Sequence, residues 1–350
     1  MTEEILKKAE RGEQLTGTDI LTLLQRKEEK DELFAAARRT REKVMGNKVF
    51  TYGFVYFSTY CKNSCSFCYF RHENSLAPRY RKEKENIVRT AVRLRDSGVN
   101  LIDLTTGDDP YYTGHPDRLA EIVRAVRENT GLGVMVSSGV LDQNGIRAIA
   151  HAGADWYALY QETYDRQLFG RLRLQQSYEA RMRAKLFARA QGLLIEEGLL
   201  TGVSDTAESR TMALLEMRKI GFDQVRVMTF IPQEGAPLAG TGKAGDFEDE
   251  LMTIAVMRLL FPDALIPASL DVDGLDGLEA RLNAGASVVT SIVAPKEGYA
   301  GVANSVRDID DGYRTISGIQ STLGRCGLTC ASAEEYRHWI EERKRISCAC

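Results

Sequence analysis

The chain has 350 residues, of which 43 % are apolar and 27 % charged, proportions typical of a soluble globular protein large enough for one barrel or two smaller domains. A formal net charge of −3 argues against nucleic-acid or membrane-surface binding as the main function. The seven cysteines, with neither a signal peptide nor a long apolar run in the sequence, predict a cytoplasmic protein with a metal site rather than disulfides.

Residues 1–48 are predicted to form a helical extension. Thr16 to Asp19 would cap a helix that runs through Leu24, and a second helix is expected near Lys30 to Met45. We expect this extension to pack on, or to plug one end of, the domain that follows it.

From residue 48 onward, short apolar runs alternate eight times with amphipathic helical stretches, which predicts parallel strands joined by crossover helices. Eight such units indicate an α/β fold, a (β/α)8 TIM barrel over residues 49–325, with a doubly wound open sheet as the alternative. The predicted strands are 49–58, 100–106, 133–138, 155–162, 199–204, 224–231, 264–271 and 286–293. The predicted helices between them include 83–96, 117–128, 144–152, 177–197, 206–220 and 247–260.

Residues 326–350 are predicted to form a helical tail that contains four cysteines, Cys326, Cys330, Cys348 and Cys350. The first two are spaced like half of a metal site. Free reduced thiols are the other interpretation of this tail.

Three further cysteines, Cys61, Cys65 and Cys68, follow the first predicted strand in one short loop. A [4Fe–4S] cluster normally takes four cysteines, so three would leave one iron open for chemistry. A zinc loop would need a fourth ligand, and the nearest candidate, His72, lies four residues further on. Three ordinary core cysteines are the remaining alternative. In a TIM barrel the end of a strand is where catalytic groups lie, which favours the cluster.

Alternation along the strands predicts which side chains enter the barrel. Arg226 would point inward from the sixth strand and would need an anion, such as a substrate carboxylate, as its partner. Ser269 and Asp271 would face the same pocket, as would Asp103, with Asp108 at the rim. One carboxylate site and two ammonium sites fit a diamino acid such as lysine. An internal Arg–Asp network that merely fills the barrel is the alternative.

Three side chains at strand ends and on the next helix are candidates for cofactor binding. Glu162 and Arg181 could take the ammonium and carboxylate of a methionine moiety, or could form a surface ion pair. Ser138 could reach a ribose hydroxyl, or could serve as a cap.

The chain resembles the biotin-synthase-like branch of the radical S-adenosylmethionine (SAM) family over about residues 45 to 320. The likeness lies in residues 55–70, 104–111, 161–163 and 176–181. It implies a radical SAM barrel in which three cysteines hold the cluster and the open iron binds SAM. The residues assigned to the SAM site are Glu162, Arg181, Ser138, Asp108 and Tyr69. Asp108 stands where relatives carry the longer Glu.

Within that branch, the similarity is greatest to the members that act first in pyrrolysine biosynthesis. It implies a mutase that rearranges L-lysine to 3-methylornithine through a 5′-deoxyadenosyl radical, with ferredoxin or flavodoxin as the electron donor. A hydrogenase-maturase-like enzyme acting on another small substrate and a non-catalytic iron–sulfur carrier remain as alternatives. Sulfur insertion is excluded because no cysteine between Cys68 and Cys326 could hold a second cluster.

Overall fold

Eight parallel strands form a barrel in the computed structural model, which describes residues 2–241, 244–271, 273–297 and 313–347. The strands are β1 (Lys48–Ser58), β2 (Leu101–Thr106), β3 (Gly133–Ser137), β4 (Trp156–Ala158), β5 (Leu194–Thr201), β6 (Gln224–Thr229), β7 (Pro267–Ser269) and β8 (Val288–Ile292). Their order is β6-β5-β4-β3-β2-β1-β8-β7, and a parallel bridge between Gln224 and Leu265 joins the two ends. The predicted TIM barrel is therefore confirmed.

Helices surround the barrel and join its strands. They are α1 (Thr2–Glu10), α2 (Gly17–Gln25), α3 (Lys30–Met45), α4 (Lys84–Ser97), α5 (Pro110–Thr113), α6 (Pro116–Thr130), α7 (Gln143–His151), α8 (Arg166–Leu172), α9 (Tyr178–Ala190), α10 (Ala207–Ile220), α11 (Phe247–Leu260), α12 (Leu278–Asn283), α13 (Ile316–Arg325) and α14 (Ala333–Ser347). In the described part of the chain, none of these helices combines the length and apolar character needed to cross a membrane.

The N-terminal helices pack on the outside of the barrel. The side chain of Thr16 caps α2 in a capping box with Asp19, as its sequence predicts. Helix α2 lies against α10 and α11, and α3 lies against α11. Lys27 forms two ion pairs across this contact, with Asp246 at 2.6 Å and with Asp249 at 2.7 Å. The extension thus packs on the barrel and does not plug it.

The C-terminal segment closes the N-terminal end of the barrel, which we call the floor. A short strand, β9 (Thr329–Cys330), pairs with the start of β1, and α14 follows it directly. From α14, Tyr336 donates a hydrogen bond to Tyr52 at 2.8 Å, and Trp339 stacks on Trp156 with ring centroids 5.9 Å apart. Residues 326–347 are therefore packed into the fold, although the boundary at 325 stays a prediction.

The cysteines of this segment are only partly described. Cys326 and Cys330 are free and half-buried. Cys348 and Cys350 lie outside the described residues. The half of a metal site that the spacing of Cys326 and Cys330 suggests stays a prediction.

The fifth strand begins earlier than predicted. The expected helix over 177–197 is wrong, because α9 ends at Ala190 and Gly192 adopts φ +80°, a conformation that ends helices. β5 then starts at Leu194. Glu196 and Glu197, which look like exposed helix residues in the sequence, are fully buried on this strand. Two carboxylates therefore lie inside the protein, where Glu196 pairs with Arg226 and Glu197 pairs with Lys185.

Candidate active site

A cavity of about 280 Å³ opens at the C-terminal ends of the strands. All three loop cysteines line it, and so do Asp103 and Arg226 from the barrel interior. The predicted cluster loop and the predicted substrate pocket therefore share one enclosure.

The sulfur atoms of the cysteine loop face a partly polar surrounding. Gln176 Nε2 and Arg173 Nη1 lie 3.0 Å and 3.6 Å from Cys65 Sγ. Burial raises the pKa of the Cys61 thiol, and burial together with the charges of Cys65 and Cys61 raises the pKa of Cys68 to about 12. The three thiols line the same cavity and lie near enough for their charges to repel one another.

These residues fit a three-cysteine iron–sulfur cluster. Within the described ranges, no three Cys, His, Asp or Glu side chains gather around one point as the ligands of a single ion would. Cluster thiolates instead bind separate irons. His72 places its Nδ1 3.3 Å from the backbone oxygen of Cys61, not beside the sulfurs. The two donors on Cys65 would stabilise the negative charge of a cluster.

The cysteine loop is fixed against the end of β2. Gly107 lies so close that a Cβ there would be 2.3 Å from the Tyr60 carbonyl oxygen. The buried Asp108 accepts a hydrogen bond from Asn63 Nδ2 at 3.1 Å and pairs with Lys62 Nζ at 3.0 Å. Asp108 lines the cavity as predicted, and its carboxylate also holds the loop.

Beside the cysteines lies a group of buried charges. Arg173 Nη2 donates to Glu162 Oε1 at 2.5 Å, and Arg181 donates through Nε and Nη2 to the Tyr160 carbonyl oxygen at 3.1 and 2.5 Å. Burial and the neighbouring Arg173 lower the pKa of Arg181 to about 10. Two guanidinium groups and one carboxylate complement the ionised amino and carboxylate groups of a methionine moiety. Glu162 and Arg181 are thus in the cavity and not in a surface ion pair.

The two remaining residues of the predicted SAM site differ in their placement. Tyr69 lines the cavity and donates its hydroxyl to the Leu76 carbonyl oxygen at 3.0 Å. Ser138 is fully buried and is not among the cavity-lining residues, whereas the preceding Ser137 lines the cavity and lies beside Thr105 of β2 in the sheet register. Because β3 ends at Ser137, the predicted contact of Ser138 with a ribose hydroxyl stays a prediction.

Arg226 enters the barrel from β6 as predicted, but it already has an internal partner. Its Nε donates to Glu196 Oε1 at 2.6 Å, and Tyr160 donates its hydroxyl to Glu196 Oε2 at 2.9 Å. Burial lowers the pKa of Arg226, but the charges of Glu196, Tyr160 and Asp103 and the hydrogen bond to Glu196 together outweigh that effect and raise it. Among the described residues, the buried Arg226 Nη2 makes no hydrogen bond of acceptable geometry. One edge of the guanidinium is therefore left for an anion.

Asp103 lies in the same part of the cavity. Thr105 Oγ1 donates to Asp103 Oδ1 at 3.0 Å, whereas Oδ2 is buried and makes no hydrogen bond of acceptable geometry within the described ranges. Burial, and to a lesser degree the charge of Glu196, raises the pKa of Asp103 to about 7. A ligand ammonium would stabilise its charged form.

Asp271 also lines the cavity, but two protein groups already hold it. Tyr56 donates its hydroxyl to Asp271 Oδ1 at 2.8 Å, and the fully buried Arg314 donates to the same oxygen at 2.9 Å. Ser269 is not among the cavity-lining residues; its Oγ lies 3.4 Å from Ser291 Oγ and accepts from the Asp271 backbone N–H at 3.3 Å. The predicted place of Ser269 in a carboxylate clamp is therefore corrected, since it supports Asp271.

Several residues of this site were not predicted from the sequence. They are Arg173, Gln176, Glu196, Ser137, Tyr56 and Arg314. Tyr56 shares the inward parity of a predicted strand and could have been found. Arg173 and Gln176 lie in the connection between α8 and α9, where no periodicity applies.

Comparison with known proteins agrees with this geometry. Residues 55–234 match the Radical SAM superfamily. The chain is 45 % identical over 327 residues to 3-methylornithine synthase of Methanosarcina barkeri, covering 93 % of each chain. It is 32 % identical to the [FeFe] hydrogenase maturase subunit HydE of Thermotoga maritima, over 79 % of this chain and 83 % of that one. The crystal structure of methylornithine synthase (PylB) matches with a TM-score of 0.90 and 44 % identity, over 96 % of this chain and 99 % of that one. The chain belongs to the radical SAM superfamily.

Proposed function

We propose that this protein is an isomerase that rearranges L-lysine to 3-methylornithine, with a [4Fe–4S] cluster and SAM in the cavity. The relatives with 45 % and 44 % identity over 93 % of the chain carry the name 3-methylornithine synthase. The observation that carries the proposal concerns Arg226 Nη2 and Asp103 Oδ2, which make no hydrogen bond to the described residues and lie in the cavity that also contains the three cysteines. A buried polar group without a partner costs about 1 to 3 kcal/mol, and a ligand with a carboxylate and an ammonium would remove both costs.

The charge of the pocket suits this substrate. Two guanidinium groups, Arg226 and Arg314, face three carboxyl groups, Glu196, Asp103 and Asp271. When all are ionised, the pocket has one excess negative charge. L-Lysine at neutral pH has two ammonium groups and one carboxylate, and therefore one excess positive charge. Binding would leave the buried site neutral, as a low-dielectric interior requires.

The residues of the pocket have separate tasks in this reaction. Arg226, oriented by Glu196, would hold the substrate carboxylate, and Asp103 and Asp271 would hold the two ammonium groups. When bound, the cluster and SAM supply a carbon radical that can take a hydrogen atom from a substrate carbon. Lysine and 3-methylornithine have the same charged groups, so the same clamps can hold substrate and product while the carbon skeleton changes between them.

The SAM site occupies the other side of the cavity. Glu162 would take the methionyl ammonium group, and Arg181, with Arg173, would take the carboxylate. Asp108 and Tyr69 would border the same site. The pairing of Glu162 with Arg173 at 2.5 Å supports this arrangement, because both charges are already fixed beside Cys65.

We also propose a small electron carrier, ferredoxin or flavodoxin, as the partner that reduces the cluster, and a cytoplasmic location for both. The support is the solvent exposure of the cysteine loop, where Tyr60 is 38 % exposed and the Lys62 side chain is 50 % exposed. An electron carrier could therefore come close to the cluster. Cross-linking through Lys62 to a reduced flavodoxin, compared with the Lys62→Gln variant, tests this contact.

The substrate is tested by anaerobic incubation of the reconstituted protein with dithionite, SAM and uniformly labelled L-lysine, followed by mass spectrometry. We expect a new amino acid isomeric with lysine, absent in Cys65→Ala and strongly reduced in Arg226→Gln. Formation of 5′-deoxyadenosine with unchanged lysine would contradict the substrate and would direct attention to maturase-like substrates. A cluster-loaded protein that does not cleave SAM would contradict the catalytic function itself.

A further inference from the structure

Behind the proposed SAM site, a buried carboxylate binds four donors. Glu197 lies on β5 and is fully buried. Its Oε1 accepts hydrogen bonds from the backbone N–H groups of Gln161 at 2.7 Å and Gly198 at 2.8 Å. Its Oε2 accepts from the Tyr164 hydroxyl at 2.9 Å and from the Lys185 ammonium group. Glu197 does not line the cavity, so it would not touch SAM or substrate.

These bonds surround the turn that contains Glu162. Glu162 has φ +68°, a left-handed conformation that is unfavourable for a residue with a side chain. Its own backbone groups are bound to β5, since Glu162 N–H donates to the Gly198 oxygen and Leu200 N–H donates to the Glu162 oxygen, both at 2.9 Å. Glu197 also accepts hydrogen bonds from Gln161, the residue before Glu162, and from Tyr164, two residues after it. The carboxylate therefore helps to hold the unfavourable turn.

The partner of Glu197 connects this turn to a second part of the site. Lys185 lies on α9, one helical turn after Arg181. Its ammonium group also donates to Gln161 Oε1 at 3.2 Å, and Gln161 Nε2 donates to the Tyr178 carbonyl oxygen at 3.1 Å. One ion pair thus ties the helix that carries Arg181 to the turn that carries Glu162.

A buried ion pair is a weak contributor to stability, because both charges lose their hydration. Both side chains here have 0 % exposure, and in proteins the replacement of such a pair by apolar residues of similar size is often neutral or stabilising. We propose that Glu197 and Lys185 are positioning residues that set the distance between Glu162 and Arg181 and so determine the affinity for SAM. The inference rests on the proposed role of Glu162 and Arg181 as the groups that hold SAM.

The test compares Glu197→Gln with a matched control in the reconstituted holoenzyme. Glu250, on α11, is a comparable buried carboxylate: it accepts hydrogen bonds from the N–H at 2.7 Å and the hydroxyl of Thr229 at the end of β6, and it pairs with the buried Arg281. The SAM dissociation constant is read from the change that SAM makes in the electron paramagnetic resonance spectrum of the reduced cluster. The KM for lysine and the melting temperature are measured in parallel.

We expect Glu197→Gln to weaken SAM binding by about 10- to 100-fold, in the range found when residues that orient ligands are removed, with the KM for lysine within threefold. Glu250→Gln should lower the melting temperature by a similar amount and leave SAM binding unchanged. Should Glu197→Gln fold poorly, Glu197→Asp keeps the charge, shortens the reach and is expected to show a smaller loss of SAM affinity.

Two results would overturn the proposal. One is unchanged SAM affinity in the Glu197 variants, and the other is an equal loss in Glu250→Gln, which would indicate a general effect of instability. Glu162→Gln and Arg181→Lys separate this failure from that of the SAM site. If these variants bind SAM weakly while the Glu197 variants bind it normally, the positioning role alone fails. If all of them bind SAM normally, the proposed SAM site fails as well.

Discussion

The two ends of the barrel are built from different interactions. At the floor, aromatic rings of α14 pack against Tyr52 and Trp156, and the Tyr336 hydroxyl donates a hydrogen bond to the Tyr52 hydroxyl. At the opposite end, buried charges line a cavity, and several of them, including Arg226, Asp103 and Arg173, have an atom that makes no hydrogen bond within the described part of the chain. The floor is thus held mainly by aromatic packing, whereas the other end presents buried charged groups to a cavity. Substitutions at the two ends should therefore affect different properties.

The largest contrast is expected between two cysteines. Cys65→Ala removes a proposed cluster ligand, so iron content should fall and SAM cleavage should drop to background. Cys330→Ala, on β9 at the floor, should leave both unchanged. Iron and sulfide analysis with detection of 5′-deoxyadenosine measures the difference. Normal SAM cleavage by Cys65→Ala would show that the catalytic end has been assigned wrongly.

A second contrast uses two arginines. Arg226→Gln should lower kcat/KM for lysine by about 30-fold or more, since the loss of one member of a buried charge pair costs about 2 to 5 kcal/mol. The SAM dissociation constant should change little. Arg343→Gln, which breaks the 2.8 Å ion pair with Asp223 near the floor, should lower only the melting temperature. An equal loss of kcat/KM in the two variants would contradict the assignment of catalysis to the cavity end and of stability to the floor.

The floor itself can be tested through Tyr336. Tyr336→Ala should lower the free energy of unfolding by about 3 to 5 kcal/mol, because the side chain is 1 % exposed and would leave a large void. At a temperature where the variant is folded, kcat/KM per bound cluster should equal that of the parent. Denaturant titration and product formation measure the two quantities. A kinetic loss larger than the loss of folded protein would connect the floor to catalysis.

The smallest expected effect is a pH dependence. The pKa of Asp103 is raised to about 7, so the carboxyl group takes up a proton as the pH falls through that value and loses its attraction for an ammonium group. We expect kcat/KM for lysine to fall by up to about tenfold per pH unit below 7 and to level off above it. In Asp103→Asn, kcat/KM should be lower over the whole pH range, and the inflection near pH 7 should be absent. An unchanged inflection in the variant would assign it to another group.

The sequence was informative wherever one local rule decided the structure. The spacing of Cys61 and Cys65 and the inward parity of Asp103 and Arg226 depend on residues close in the chain. Glu196 was misplaced because a charged residue beside Glu197 fits an exposed helix face, and only its remote partner, Arg226, makes a buried strand position possible. At β3, the strand ends at Ser137, one residue before the predicted end, and Ser137 is the serine that lines the cavity. The error at Glu196 concerns long-range pairing, which no local pattern contains.

Arg314 illustrates the same limit more strongly. It follows the barrel strands by many residues, yet its side chain reaches Asp271 and the backbone oxygen of Ser291. No periodicity relates these positions. Its contribution to the charge of the pocket follows only from the three-dimensional structure.

The attachment of β9 and α14 to the floor has a consequence for biosynthesis. Tyr52 and its partner Tyr336 are separated by 284 residues, so β1 leaves the ribosome long before the segment that covers its lower end. During that interval the aromatic side chains of the floor have no cover, and such exposed apolar surfaces favour aggregation. Contacts this distant in sequence also form slowly. Production of this protein should therefore benefit from slow translation and from chaperones that protect the nascent barrel.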